Sequence, residues 1–235
     1  MTPPTLRSTP TDDPAPGLEA TAWDAAPSHP LLVPGPDDAP ADPREPGGFR
    51  LLHSPAGLHL RADLIDGDAF THATGDRQHL WDLGDAIEWF IGPPPREGAG
   101  ADAGLLFPTP YIELHAAPNG LRTLYRVRRV RLPERPEDVS FTSEVALTPG
   151  GWSAVFHLRW DDLCRLCLGE TRSDAASLPW TVLVGRYNRG DNLPYRGDGS
   201  AGAELSGWPR MPRADFHLRA LHAPVVLTGS ATTDA

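Results

Sequence analysis

Proline and glycine interrupt this chain too often for long helices to survive. The sequence holds 27 Pro and 23 Gly in 235 residues. Proline inside a helix removes a hydrogen bond and clashes with the preceding turn, while both residues suit turns. Between these breaks the apolar residues alternate with polar ones over short runs, the period of a strand with one buried face. Hydrophobic residues make up 40% of the chain, enough for a core. The expectation is an all-β fold: a two-sheet antiparallel, jelly-roll-like β-sandwich of about nine to eleven strands with at most short helices.

The central segment is 80–93. From Ala86 to Ile91, Ile87, Trp89 and Ile91 point one way and Ala86, Glu88 and Phe90 the other. Gly92 and the prolines after it end the strand. Glu88 poses the question of the whole sequence, because a carboxylate buried in mid-strand without partners costs several kcal/mol. It is either solvated or aimed at something. Trp81, just upstream, is placed to cover the same face, and an indole beside a carboxylate suits a polar ligand with one apolar side.

Around this strand the pattern predicts others. Leu18 to Trp23 reads as a first strand. Residues 49–52 and 58–65 form a hairpin through Ser54-Pro55-Ala56-Gly57. Residues 111–115 and 121–132 form a second, turning at Asn119-Gly120, a strong hairpin signal. In it Tyr111, Glu113 and His115 share one face, and Arg126 and Arg128 are expected opposite them. Residues 141–147 and 151–158 form a third, followed by a short helix over 161–168. The segments 180–189 and 224–227 complete the set. Residues 1–16 are expected to be a disordered tail, 17–229 the folded domain and 230–235 a second tail. Loops rich in Pro, Gly or Asp fill 34–48, 93–108 and 190–203.

The formal net charge of −10, with 21 cationic residues all arginine, opposes nucleic-acid binding, which needs a basic surface. No apolar run is long enough to span a membrane, and the N-terminus shows no secretory signal. With only Cys164 and Cys167 in the chain, a disulfide scaffold is excluded, and a soluble, cytoplasmic protein is expected. The lone C-x-x-C lacks a second pair to complete a zinc site, so it reads as two buried thiols.

Taken in order, the segments resemble the family 9 carbohydrate-binding modules and their DOMON-like relatives. The resemblance rests on Trp81, Asp85 and Ile87-Glu88-Trp89-Phe90-Ile91, then Tyr111-x-Glu113. It continues through Gly151-Trp152 to Leu163, the polar-ended strand 180–189, Ser206-Gly207-Trp208, and Phe216-His217. It spans about residues 17–229. The departures are Val155, where the family often has Glu, and Leu183, near a place that holds Gln in some members. The resemblance implies a non-catalytic module binding a small carbohydrate or similar polyol. Trp81 and Trp208 would clamp the sugar at one end of the sandwich. Glu88, Tyr111, Glu113, Arg186 and Asn188 would supply hydrogen bonds. Two alternatives stay open: a glycoside-processing enzyme using Glu88 and Glu113, and a structural or interaction domain without a sugar ligand. No cofactor is expected, although Asp63, Asp66, Asp68 or Asp76 offer oxygen ligands to a structural calcium.

Overall fold

The structure, a computed structural model, describes residues 3–36, 41–76, 78–95, 106–129, 133–136, 141–190 and 202–229. The described residues form twelve strands: Leu6–Pro10 (β1), His29–Pro30 (β2), Gly47–His53 (β3), Gly57–Ile65 (β4), Ala86–Gly92 (β5) and Leu106–Ala116 (β6) come first. Arg122–Arg129 (β7), Thr142–Thr148 (β8), Gly151–Arg159 (β9), Thr181–Asn188 (β10), Glu204–Trp208 (β11) and Ala223–Leu227 (β12) follow. The α-helices are short, Leu80–Leu83 (α1) and Trp160–Leu168 (α2), and no described helix is long and apolar enough to cross a membrane. The all-β expectation holds.

The expectation of two separate antiparallel sheets does not. The strands join in one hydrogen-bonded path, β7-β6-β5-β10-β12-β1-β3-β4-β9-β8, with β11 beside β10 and β2 beside β3. The joining strand is β1, which runs parallel to both β12 and β3 and makes the sheet mixed. It lies in the segment expected to be disordered. Leu6 is fully buried in the main core, and strand pairing on both sides supplies the ordering energy that local composition lacks. Leu18 to Trp23 also departs from expectation. Thr21–Ala25 is a single 3-10 turn that buries Trp23 against Leu52 and Val155. The expected loops at 34–48, 93–108 and 190–203 lie partly outside the described residues, as does the whole 230–235 tail.

The predicted hairpins are present. The Asn119-Gly120 turn connects β6 to β7, with Gly120 at φ +84°, a conformation that L side chains rarely adopt. At Gly57 the need is for space, since a Cβ there would meet the Leu158 carbonyl oxygen at 2.1 Å.

Alternation puts Ile87, Trp89 and Ile91 of β5 and Ile112 and Leu114 of β6 into one core. They meet Phe49, Leu60, Trp152 and Phe156 from the β3-β4-β9 half, and Trp89 meets Phe156 at 6.4 Å between ring centroids. The opposite face of β5, β6, β7 and β10 carries a second cluster of Phe90, Tyr111, Tyr125, Val127 and Leu183, covered by Met211 and Phe216. Gly185 makes this cover possible, because a Cβ there would sit 2.7 Å from the Phe216 ring.

On α2, Cys164 and Cys167 are free and buried beside Leu163 and Leu166. Burial raises both thiol pKa values, that of Cys167 to about 12. The helix ends at Gly169, which is left-handed and donates its N–H to Arg165 O.

Candidate ligand site

The period of β5 sends Glu88 to the face away from the main core. Register then decides its neighbours. Glu88 pairs with His115 of β6, and Phe90 with Glu113. On the far side of β6, Glu113 pairs with Tyr125 and His115 with Thr123 of β7. Two carboxylates and an imidazole therefore stand together. His115 Nδ1 lies 3.4 Å from Glu88 Oε1, and its Nε2 lies 3.5 Å from Glu113 Oε2. The closing segment adds His217, whose Nδ1 is 3.3 Å from Glu113 Oε1 and 2.6 Å from the Tyr111 hydroxyl.

The inner groups are buried: Glu88 is 3% exposed, Glu113 4% and His115 1%. The rim is more open. Trp81 on α1, Tyr187 on β10 and His217 are half-buried, and His79 is exposed. Trp81 leans edge-on over His115 at 5.1 Å between centroids and contacts His79 at 4.6 Å and Tyr125 at 5.7 Å.

The protonation preferences differ from group to group. Burial raises the pKa of Glu88 well above the ordinary carboxylate range, and the negative charges of Glu113 and Asp82 add to it. Burial pushes Glu113 the same way, but His115 and His217 outweigh it and hold that carboxyl at about 2. Burial lowers the pKa of His115 against the pull of Glu113. For His217 the order reverses: burial is outweighed by Glu113 and Asp215, and its pKa rises. Of the two imidazoles, His217 is therefore the one held toward its charged form and His115 the one held toward its neutral form. Hydrogen bonding is incomplete. Glu113 Oε1 and both ring nitrogens of His115 are buried without a well-formed hydrogen bond among the described residues. These atoms lie 3.3–3.5 Å from their ionic neighbours, long for hydrogen bonds, so they keep capacity for a further polar group.

The residues expected at the site divide between the two faces of the sheet. Trp81, Glu88, Tyr111 and Glu113 come together as described. Arg186, Asn188 and Trp208 do not join them. Trp208 pairs with Val184, a main-core residue, and is 8% exposed. It packs on His29 at 5.1 Å and on Phe49 at 5.5 Å. Arg186 pairs with Ile87 and so shares the core face. Its guanidinium donates to Glu45 O at 2.7 Å, Ile65 O at 2.8 Å and Asp66 Oδ2 at 3.1 Å. Asn188 donates to Glu45 Oε2 at 2.8 Å. The expected clamp is therefore not formed, because its two indoles lie on opposite faces. Arg126 is also displaced from expectation: it pairs with Ile112 and donates to Leu166 O at 2.6 Å. Arg128, the next residue but one, points the same way by alternation and is exposed. Tyr125, Tyr187 and His79, which the sequence does not single out, lie at the site too, as does His217, which the resemblance names only as part of the closing segment. His115 was placed on the right face but given no role.

Of the proposed calcium ligands, Asp66 and Asp68 gather with Glu45, their ligand atoms within 4.8 Å of one another. Two of the three carboxylates are already engaged within the protein. Asp66 already accepts from Trp152 Nε1, Arg186 and Asp68 N, and Glu45 accepts from Gly67 N and Asn188. Asp63 is held by Arg50, Arg61 and Ser153, and Asp76 accepts from Arg122 N.

Neither a scan against protein-family models nor a search of curated proteins finds a match to this chain. Solved structures do match. The fold is like that of the family 9 carbohydrate-binding modules. One such module, from Caldicellulosiruptor kristjanssonii in complex with glucose, aligns at TM-score 0.61 and 10% identity, covering 97% of each chain. A family 9 module of the same organism in complex with cellotriose aligns at TM-score 0.62 and 10% identity, covering 98% of this chain and 97% of that one. A candidate carbohydrate-binding protein from Bacteroides uniformis aligns at TM-score 0.67 and 14% identity, over 95% of this chain and 99% of its own.

Proposed function

We propose that this protein is a non-catalytic binder of a small carbohydrate or similar polyol, held on the Glu88 face beside Trp81. The observation that carries the reading is the set of buried, incompletely hydrogen-bonded groups of Glu113 and His115 beneath a half-buried indole. A sugar hydroxyl both donates and accepts, so it completes such groups where an apolar ligand leaves them unpaired. The indole covers the C–H side of the ring and excludes water. The glucose and cellotriose carried by the two family 9 modules belong to this class of ligand.

The glycosidase alternative needs room for a scissile bond, with or without an attacking water, between its two carboxyl groups. Here the His115 ring stands between Glu88 and Glu113, within 3.5 Å of both. The test is a titration of mono- and oligosaccharides followed by tryptophan fluorescence. At least one sugar should shift the emission, and Trp81→Ala should weaken its binding by about 1–3 kcal/mol, the value of an aromatic face packed on a ligand. A broad panel without any response would end the proposal.

A further inference from the structure

Glu113 and Tyr111 are capped by a side chain that does not belong to the sheet. Residues 209–218 follow β11 and form no strand. Backbone bonds of this segment close on themselves: Asp215 N donates to Arg213 O, Leu218 N to Asp215 O and Arg219 N to His217 O. Phe216 anchors it. The ring packs on Phe90 at 5.9 Å and on Tyr187 at 5.8 Å, in space that Gly185 and Gly207 leave by having no Cβ. The next residue, His217, reaches the polar end of the site, with Nδ1 2.6 Å from the Tyr111 hydroxyl and 3.3 Å from Glu113 Oε1. Two observations set this contact apart. The Glu113 side chain is 6% exposed and that of His217 is 35%, so the imidazole is the outer partner. Its fit is also incomplete: Glu113 Oε1, the atom it faces, is left without a well-formed hydrogen bond among the described residues. One Nδ1 carries one proton or one lone pair, so it serves Tyr111 and Glu113 together only in part. A sugar brings a separate hydroxyl to each.

We propose that His217 is a displaceable plug, its imidazole holding the place of a ligand hydroxyl against Tyr111 and Glu113 and swinging outward when the ligand enters. This rests on the carbohydrate-binding reading and adds an internal competitor to it. The ring turns about its own side-chain bonds while Phe216 stays seated, so the sheet is undisturbed. In the free protein the plug keeps a buried carboxylate partnered. It also lowers affinity, because only the fraction of molecules with the plug out is ready to bind.

The experiment compares the wild type with His217→Ala by calorimetric titration against the panel of mono- and oligosaccharides, glucose among them. The variant should bind about tenfold more tightly, the equivalent of one hydrogen bond no longer broken on entry. Equal or weaker binding makes the imidazole a bystander or a ligand contact, and overturns the plug while carbohydrate binding stands. Binding seen in the variant alone supports both readings, and a panel silent for both proteins overturns both. A second measurement needs no variant to fold. In wild-type protein with labelled histidine, the His217 ring nitrogen resonance should move on saturation with a sugar that binds to that of a solvent-exposed imidazole. A resonance that keeps its bonded position overturns the plug.

Discussion

Acid should destabilise this protein through a histidine on the β3-β4-β9 half of the sheet. His59 on β4 is 1% exposed. Its Nε2 lies 2.8 Å from Ser54 Oγ and its Nδ1 lies 3.0 Å from Nδ1 of His157. One proton can bridge the two rings, whereas two would bring a pair of imidazolium ions into contact. Burial first, and then His157, hold the pKa of His59 at about 4, against the 6.5 of a free imidazole, although Asp13 pulls the other way. Between those values the unfolded chain binds a proton that the folded chain refuses. The contribution of His59 to stability is therefore complete above pH 6.5 and is lost as the pH falls toward 4. At pH 4 the unfolded ring is charged and the folded ring half charged, a loss of about 3 kcal/mol relative to neutral pH. That is a large part of the roughly 5–15 kcal/mol by which domains are stable. His59→Gln keeps polar atoms toward Ser54 and His157 and removes the titration. Burial also depresses His53, His115, His157 and His222, but both proteins contain them. The gap between the two pH profiles therefore reports His59 together with its coupling to His157. Urea unfolding at steps from about pH 7.5 down to pH 4 should show the wild type losing about 3 kcal/mol more than the variant over this range. Parallel profiles would refute the reasoning.

Trp208→Ala should lower stability by about 3–5 kcal/mol, as large-to-small changes in packed cores do, whereas Trp81→Ala at the half-buried rim should cost less; thermal melts of the two variants decide this, and equal losses would place both indoles in the core. Cys164 and Cys167 should resist alkylation in the folded protein and react on unfolding, because burial keeps both as thiols. Replacing both by Ala should leave sugar affinity unchanged, and purified protein should contain no stoichiometric zinc.

What the sequence disclosed follows from period and turn chemistry. The β5 alternation sorted Ile87, Trp89 and Ile91 from Glu88 and Phe90 correctly, because a strand has only two faces. The shared face of Tyr111, Glu113 and His115 was readable for the same reason. Asn119-Gly120 marked its hairpin because a left-handed turn has few occupants. The parallel placing of β1 was not legible: Leu6 to Pro10 looks disordered until β3 and β12 offer it partners. His217 was hidden in another way. Its contact with Glu113 spans the sheet and the closing segment, and no local pattern encodes it. Trp208 misled because a resemblance gives the order of residues but not the face each one occupies. Its partner Val184 settles that, and the pairing depends on a register that turn-rich flanking sequence does not specify.

A mid-strand glutamate had two explanations, solvation or a task, and the structure removes the first. At 3% exposure Glu88 is not solvated, and its one ion-pair contact among the described residues is an imidazole whose other nitrogen faces a second carboxylate. A core built for stability alone does better with an apolar side chain there, since burying a carboxyl is costly even in its neutral form. A sheet can bear that cost when the register fixes the surrounding groups, as β5, β6 and β7 do here, and when the main core on the opposite face supplies most of the stability. Under the proposed function, Glu88 marks the face where stability is given up for recognition, and the incompletely bonded Glu113 and His115 beside it suit a ligand that is hydroxylated with one apolar side.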